Sequence, residues 1–136
     1  MKSTLLFAML ALAAGATQAA DLTVSVSNLK SNDGHVLVGA YNRADTFLKQ
    51  PAFFARVKAE PGTVSATLHD LPAGDYAVSV YQDSNDNMKL DSNPIGMPIE
   101  PYGFSRDAAG SYGPPSFEQA RISVPAEGSS ISVTLR

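Results

Sequence analysis

The chain has 136 residues and no cysteine, and its 13 acidic and 10 basic side chains give a formal net charge of −3 at pH 7. This negative balance argues against nucleic-acid phosphates or anionic membrane surfaces as main partners. The absence of cysteine excludes disulfides, thiol nucleophiles and lipid attachment through a cysteine. The length fits one domain with one hydrophobic core.

The first twenty residues predict a secretory signal peptide. Lys2 supplies a positive start, an apolar run of about ten residues fills 5–14, and small residues surround Ala19 and Ala20. The run is shorter than the roughly 20 apolar residues of a membrane-spanning helix, and no second stretch of that kind follows. We therefore expect cleavage after Ala19 or Ala20, a single domain over 21–136, and a periplasmic or secreted protein.

Short stretches of alternating apolar and polar residues then indicate β-strands. From Leu22, apolar side chains alternate with Thr and Ser, as in a strand with one buried face. Asn32-Asp33-Gly34 and Pro61-Gly62 supply turn residues between such stretches. The predicted strands cover 22–27, 36–41, 53 or 54 to 59, 63–68, 75–81, 120–124 and 130–135.

Six to seven short strands separated by turn signals predict an all-β fold. The alternation is clean and no stretch has a convincing helical period, so we expect an antiparallel β-sandwich of immunoglobulin-like or transthyretin-like kind. A small closed barrel uses the same pattern and stays an alternative.

One long segment, 94–118, has five prolines, four glycines and several aromatic residues but no periodicity. Loops of this length in a compact domain are usually functional or disordered, and the aromatic content argues against disorder. We expect an ordered cover that lies on the sandwich. Its candidate ligand surface comprises Tyr102, Phe104, Arg106 and Tyr112.

The stretch before this segment has the spacing of a calcium-binding loop. Asp83, Asn85 and Asn87 place side-chain oxygens at every second position, and Asp91 follows. With Asp83 as position 1, Lys89 would contribute its backbone carbonyl at position 7. Hard oxygen donors favour calcium over transition metals.

This match ends before the loop is complete. Position 6 should be glycine and is Met88, while position 12 should be a bidentate glutamate and is Pro94. We expect Glu100 to supply the missing carboxylate if the chain folds back. The alternative is a solvated turn whose Asp and Asn side chains cap their own backbone amides.

An ordered series of motifs resembles one bacterial family. The motifs are Leu71-Pro72-Ala73-Gly74-Asp75-Tyr76-Ala77, the stretch 83–91, the stretch 95–105 and Phe117-Glu118-Gln119-Ala120. Together they resemble the small exported proteins catalogued as domain of unknown function 2141, over essentially the whole mature chain. The resemblance implies bacterial export and a sandwich domain, but no established reaction.

The chain departs from that family pattern at three positions. The pattern has a histidine before the first aspartate and glycines at the fourth and sixth loop positions. Here these places hold Gln82, Asp86 and Met88. Gln82 removes a candidate imidazole ligand, and Met88 would be strained if its position requires a positive φ.

Our main functional hypothesis is an exported, non-catalytic module whose loop binds calcium and orders a surface for an unknown protein or carbohydrate partner. No Ser sits in a G-x-S-x-G elbow, and no histidine spacing fits zinc. The enzyme alternative is a small hydrolase of an envelope glycan, which would pair Asp83 or Asp91 with Glu100 or Glu118. A purely structural envelope protein is the third hypothesis.

Overall fold

Eight strands form in the part of the chain that the computed structural model describes, residues 19–136. The predicted signal peptide lies outside the described residues, except for Ala19 and Ala20, which begin the first strand. A 3-10 turn, Ser105–Asp107, follows the sixth strand, and one helical turn, α1 (Phe117–Ala120), precedes the seventh. The strands are β1 (Ala19–Leu29), β2 (His35–Tyr41), β3 (Phe53–Lys58), β4 (Gly62–Pro72), β5 (Gly74–Asp83), β6 (Tyr102–Phe104), β7 (Arg121–Val124) and β8 (Ser129–Thr134).

These strands form two sheets, which confirms the predicted all-β fold. One sheet has the order β4-β1-β8, and the other has the order β3-β2-β5, with β6 and β7 both paired to the remaining edge of β5. All pairs are antiparallel except β1 with β8, which run parallel. Within the described residues the two sheets share no strand, so the arrangement is a sandwich and not a closed barrel.

The core lies between the sheets and follows the predicted alternation. Leu22, Val24 and Val26 of β1 are fully buried, as are the inward residues of β2 and β5. Each such side chain contributes about 1.5–3 kcal/mol by leaving water. Among residues 19–136 no helix is long and apolar enough to cross a membrane.

Strand β2 is buried on both of its faces. Leu37 and Tyr41 alternate with the core residues, so they face away from the sandwich, yet they are also buried. The chain after β2 and the long segment 94–118 cover this outer face. Phe104 and Phe117 pack there against Phe47, with ring centroids 6.3 Å and 6.0 Å from it. The long segment is therefore the ordered cover that the sequence predicts.

The cover contains regular structure that the sequence did not predict. Its residues Tyr102–Phe104 form β6, and Phe117–Ala120 form a helical turn closed by a capping box between Ser116 and Gln119. The predicted count of six to seven strands was therefore too low. Strand β5 also extends to Asp83, which makes this residue the end of the strand.

Ser105 closes a gap in the sheet. Strands β6 and β7 pair with different parts of β5, which leaves Val78 between them. The buried Ser105 hydroxyl accepts the Val78 backbone N–H at 2.9 Å and donates to the Ala120 carbonyl. One side chain thus satisfies backbone groups of both sides of the gap, which a buried sheet edge requires.

Candidate functional site

The segment from Asp83 to Glu100 is called here the acidic loop, and its last residues, 94–100, are also the first residues of the cover. Its first residue, Asp83, has a fully buried carboxylate. Asp83 ends β5, and its carboxylate accepts the backbone N–H groups of Asn87 at 3.1 Å and Met88 at 2.7 Å. Gly34 (φ +66°) opposes this point, and a Cβ there would overlap the Asp83 carbonyl oxygen. The start of the loop is therefore fixed by both local hydrogen bonds and the close approach of the neighbouring chain.

The acidic loop ends on a second buried carboxylate. Glu100 is 7% exposed; its Oε2 accepts the Ser84 N–H at 2.7 Å and its Oε1 accepts the Asp91 N–H at 2.8 Å. Bonds from a backbone donor to an ionised carboxylate are short and roughly twice as strong as neutral ones. Since Ser84 and Asp91 lie at opposite ends of the stretch 84–91, one side chain fastens both ends of it.

The side chains at predicted ligand positions 3, 5 and 9 converge. The Asp91 carboxylate accepts amide N–H bonds from Asn85 at 2.7 Å and from Asn87 at 2.8 and 3.1 Å. The bond from Asn87, followed by that from Asn85, lowers the pKa of Asp91. Three of the expected ligand side chains therefore meet at one point. The carboxylates of Asp83 and Glu100 are bonded to loop backbone N–H groups instead.

Several of the expected donors already hold the loop backbone. Asp83 and Glu100 each accept two backbone N–H groups, while an ionised carboxylate has about four lone-pair positions, so each retains acceptor capacity. The Lys89 backbone N–H donates to Asn87 Oδ1 at 3.0 Å. Within residues 19–136 no group of three or more His, Cys, Asp and Glu side chains is placed to hold a metal ion.

The side chains that come nearest to forming a hard-cation site are Asn85, Asn87 and Asp91, but both amides present nitrogen and not oxygen to the Asp91 carboxylate. Each Asn amide would have to rotate so that its oxygen, and not its nitrogen, faces the cation. Such a rotation costs the three hydrogen bonds that the two amides donate to Asp91, and the one that Asn87 Oδ1 accepts from the Lys89 N–H. Calcium binding by this loop stays a prediction.

The two loop positions at which the resemblance implies glycine both adopt positive φ, at +53° for Asp86 and +62° for Met88. Aspartate tolerates this conformation, and Asp86 is also held by His35 at 2.8 Å and Arg56 at 3.3 Å. The hydrogen bond from His35 is the main cause that lowers the pKa of Asp86. Met88 has no such compensation from its own side chain, and the left-handed conformation costs it about 1–2 kcal/mol.

Gln82, at the position where the resemblance implies a histidine, has a structural role. Its side chain is 1% exposed and donates to Ser31 Oγ at 3.1 Å and to the Asp33 carbonyl at 2.9 Å. It therefore joins β5 to the connection between β1 and β2.

An open cavity of about 710 Å³, called here the apolar cleft, lies over the outer face of the larger sheet. Its floor includes Leu37 and Gly39 of β2 with Ser79 and Tyr81 of β5. Burial raises the pKa of Tyr81, and the charges of the nearby Asp83, Glu100, Tyr41 and Asp91 raise it further. The floor therefore adjoins the carboxylates of the acidic loop.

Three segments form the walls of the apolar cleft: 48–51, residues 88–98 of the acidic loop, and 110–114 of the cover. Of the predicted ligand surface, Tyr102, Phe104 and Tyr112 line the cleft. Arg106 is not among the lining residues; it is exposed in the 3-10 turn with φ +62°.

Sequence reasoning missed the floor of the apolar cleft. The signal was present in β2, where the run from Val36 to Tyr41 contains no polar residue. Such continuous apolar runs are typical of strands that are buried on both faces. The run therefore indicated that something covers the outer face at Leu37 and Tyr41.

The apolar cleft gathers most of the exposed apolar side chains of the described chain. Seven large apolar residues are exposed, and six of them line the cleft; the seventh is Ile99. Scattered exposed apolar residues are ordinary, whereas a contiguous group around a cavity marks a binding surface. The six are Leu48, Phe54, Met88, Ile95, Met97 and Tyr112.

Comparison with known proteins supports the resemblance seen in the motifs. No curated protein and no solved structure gives a significant match. One family profile, described as "Uncharacterized protein conserved in bacteria (DUF2141)", matches residues 24–132, which include the core strands, the acidic loop and the cover. The chain therefore belongs to the DUF2141 family of bacterial proteins.

Proposed function

We propose that this protein is an exported, non-catalytic binding module in which the acidic loop, stabilised by calcium, holds one wall of the apolar cleft in place. The observation that carries the proposal is the pair of buried carboxylates, Asp83 and Glu100, that fasten a loop whose exposed apolar residues line the cleft. Burying two charged side chains to hold one loop costs free energy of folding, so we expect it where the loop conformation matters for function.

The part of the acidic loop that faces the cleft is itself ordered by hydrogen bonds from its backbone N–H groups. Asn93 Oδ1 accepts the N–H groups of Ile95 at 3.1 Å and Met97 at 3.0 Å. The Ile99 N–H donates to the Asp91 carbonyl at 2.9 Å, which closes a small hairpin. This hairpin presents Ile95 and Met97 to the cleft, although they are 83% and 55% exposed.

Calcium would add to this order by binding where Asn85, Asn87 and Asp91 converge. The ion supplies positive charge to a loop with several carboxylates, and carboxylates about 4 Å apart repel by about 1 kcal/mol in water and more near a protein surface. The chain's own residues contribute the oxygens and the turn that brings them together. No reaction step is involved.

The test is thermal unfolding of the purified protein in EDTA and in about 10 mM calcium. A site with a Kd of about 1 mM would stabilise the fold by about 1.4 kcal/mol under these conditions, which raises the melting temperature by about 4–6 °C. Asp91→Ala should abolish the rise. Ser84→Ala is the matched control, because it keeps the backbone N–H that Glu100 accepts. An equal melting temperature in EDTA and in calcium would refute the calcium half of the proposal.

Export is tested separately from binding. Mass spectrometry of the protein recovered from the periplasm or medium should show an N-terminus at Ala20 or Asp21. Recovery of the uncleaved chain from the cytoplasm alone would contradict export.

The hydrolase alternative draws little support from these contacts. Asp83 and Glu100 hold backbone N–H groups, and Glu118 pairs with Arg121 at 3.4 Å on the exposed side of α1. If the protein were such a hydrolase, an envelope-glycan substrate would be turned over and Glu100→Gln would abolish that turnover. A purely structural envelope protein would show neither a calcium response nor a ligand.

A further inference from the structure

The geometry points to a ligand class for the apolar cleft: we propose that it binds a monomeric, single-chain amphiphile with an anionic head, such as a fatty-acid anion. The inference rests on the proposed binding function and names the ligand of the same site. It does not depend on calcium, because the buried Asp83 and Glu100 carboxylates order the loop through protein contacts.

The size and lining of the cleft fit an alkyl chain. Its volume of about 710 Å³ is within the range of small-molecule sites, roughly 300–1,000 Å³. The wall residues Met88, Ile95 and Met97 are apolar and exposed. Methionine is unbranched and adaptable, so it suits a ligand surface that must close around a flexible chain.

The floor of the cleft combines small and aromatic side chains. Gly39 of β2 and Ser79 of β5 are in register and therefore side by side. Phe54 of β3 and Phe104 of β6 continue the same row at its two ends. Gly39 itself is covered, since a Cβ there would stand 3.3 Å from the Pro51 Cβ and 3.4 Å from the Tyr41 hydroxyl. The space for an alkyl chain therefore lies above these side chains, between the walls of the cleft.

The charged residues that line the cleft favour one kind of head group on the ligand. Among residues 19–136, Lys49 and Lys89 are the only charged residues that line it, and no acidic residue does. Within residues 19–136 neither ammonium group makes an ion pair. The chain as a whole carries a net charge of −3, so this cleft is a local exception. The carboxylates of the acidic loop adjoin the floor at Tyr81 but do not line the cleft. The two lysines are therefore the charges that a bound ligand would meet directly, and they favour an anionic group on it.

A carbohydrate fits the same lining less well. Sugars present many hydroxyl groups, and each needs a polar partner when it leaves water. In the part of the chain that the structure describes, no Asp, Glu, Asn, Gln, Arg or His lines the cleft. The polar side chains of the lining are Ser79, the tyrosines and the two lysines. The cleft therefore lacks the side chains that would pair with a polyol.

The test measures binding of dansyl-aminoundecanoic acid by fluorescence, in EDTA and in calcium. Competition is then measured in EDTA with laurate and dodecyltrimethylammonium, both below their micelle concentrations, and with dodecanol below its solubility limit. Laurate should compete best, dodecanol about tenfold less well, and the cationic amphiphile least. Failure of the probe to bind in both buffers overturns the proposal, whereas failure of the calcium melting test leaves this result unaffected.

Exposed residues supply variants that keep the fold. Met97→Ser should weaken laurate binding about tenfold, with Ile99→Ser as control because Ile99 is exposed in the same loop but does not line the cleft. The double variant Lys49→Gln and Lys89→Gln should weaken laurate about tenfold and leave dodecanol unchanged, with Lys30→Gln as control.

Three outcomes would overturn the proposal. The first is equal loss of binding in the control variants, which would mean that the amphiphile does not occupy the cleft. The second is tight binding of the cationic amphiphile, which would contradict the role of the lysines. The third is binding to vesicles of anionic phospholipid without binding to monomeric probe, which would indicate a membrane surface as the partner.

Discussion

Replacing Glu100 by glutamine tests whether one carboxylate fastens the acidic loop. Glutamine has nearly the same shape but only one acceptor oxygen, so its NH2 group would face one of the two backbone N–H donors, Ser84 or Asp91. A buried donor left without a partner costs about 1–3 kcal/mol. Because Glu100 is only 7% exposed, water replaces the missing acceptor poorly.

The assay is hydrogen exchange at the Ser84 and Asp91 backbone amides, followed by NMR. A loss of about 1–3 kcal/mol corresponds to about 5- to 150-fold faster exchange at these amides. Each kcal/mol that reaches the global unfolding equilibrium should lower the melting temperature by about 3–5 °C. Glu127→Gln is the control, because Glu127 is exposed and makes no ion pair in the described chain. Unchanged exchange at both amides in a folded variant would refute the role assigned to Glu100.

The remaining predictions concern the loop conformation, the sheet edge and pH. Met88→Gly should raise the free energy of unfolding in urea by about 0.5–1 kcal/mol, since relief of the positive φ outweighs the greater chain entropy of glycine; a loss of stability would contradict this. Ser105→Ala should lower the same quantity by about 1–3 kcal/mol, because the Val78 N–H loses its buried acceptor, and an unchanged urea midpoint would contradict it. The lowered pKa of Asp86 means that its bond with His35 stabilises the fold above the unfolded pKa of about 3.9, and this stabilisation is lost as pH falls through the folded pKa. Asp86→Asn should therefore lower the melting temperature more at pH 7 than at pH 2, and an equal decrease at both pH values would refute the linkage.

The strands could be predicted because the alternation that specifies them is local. In any extended segment with this sequence, Leu22, Val24 and Val26 lie on the same face, and that face is the buried one. The parallel pairing of β1 with β8 could not be predicted from such a local pattern, because it depends on how two strands far apart in the sequence meet. Strand β6 has three residues in a Pro- and Gly-rich segment, which is too short for a periodic signal.

The candidate site was predicted in part for the same reason. The even spacing predicted that Asn85 and Asn87 lie near Asp91, since a tight loop places alternate side chains on one side. Both residues donate hydrogen bonds to Asp91. The spacing did not show that Asp83 and Glu100 would accept backbone N–H groups, because that choice depends on which donors the folded loop leaves unpaired. The apolar cleft arises from three segments far apart in sequence, so no local pattern indicated its shape.

Met88 links the stability of the acidic loop to the function proposed for the cleft. Its backbone occupies a conformation that favours glycine, and the cost falls on the fold. Its side chain lines the apolar cleft and is 53% exposed, so it gains little from burial in the free protein and would gain more against a bound alkyl chain. Strain retained at a ligand surface is expected where it serves binding. Met88→Gly should therefore change the two properties in opposite directions, with greater stability and weaker laurate binding, whereas greater stability with unchanged laurate binding would show that the Met88 side chain does not contact the ligand.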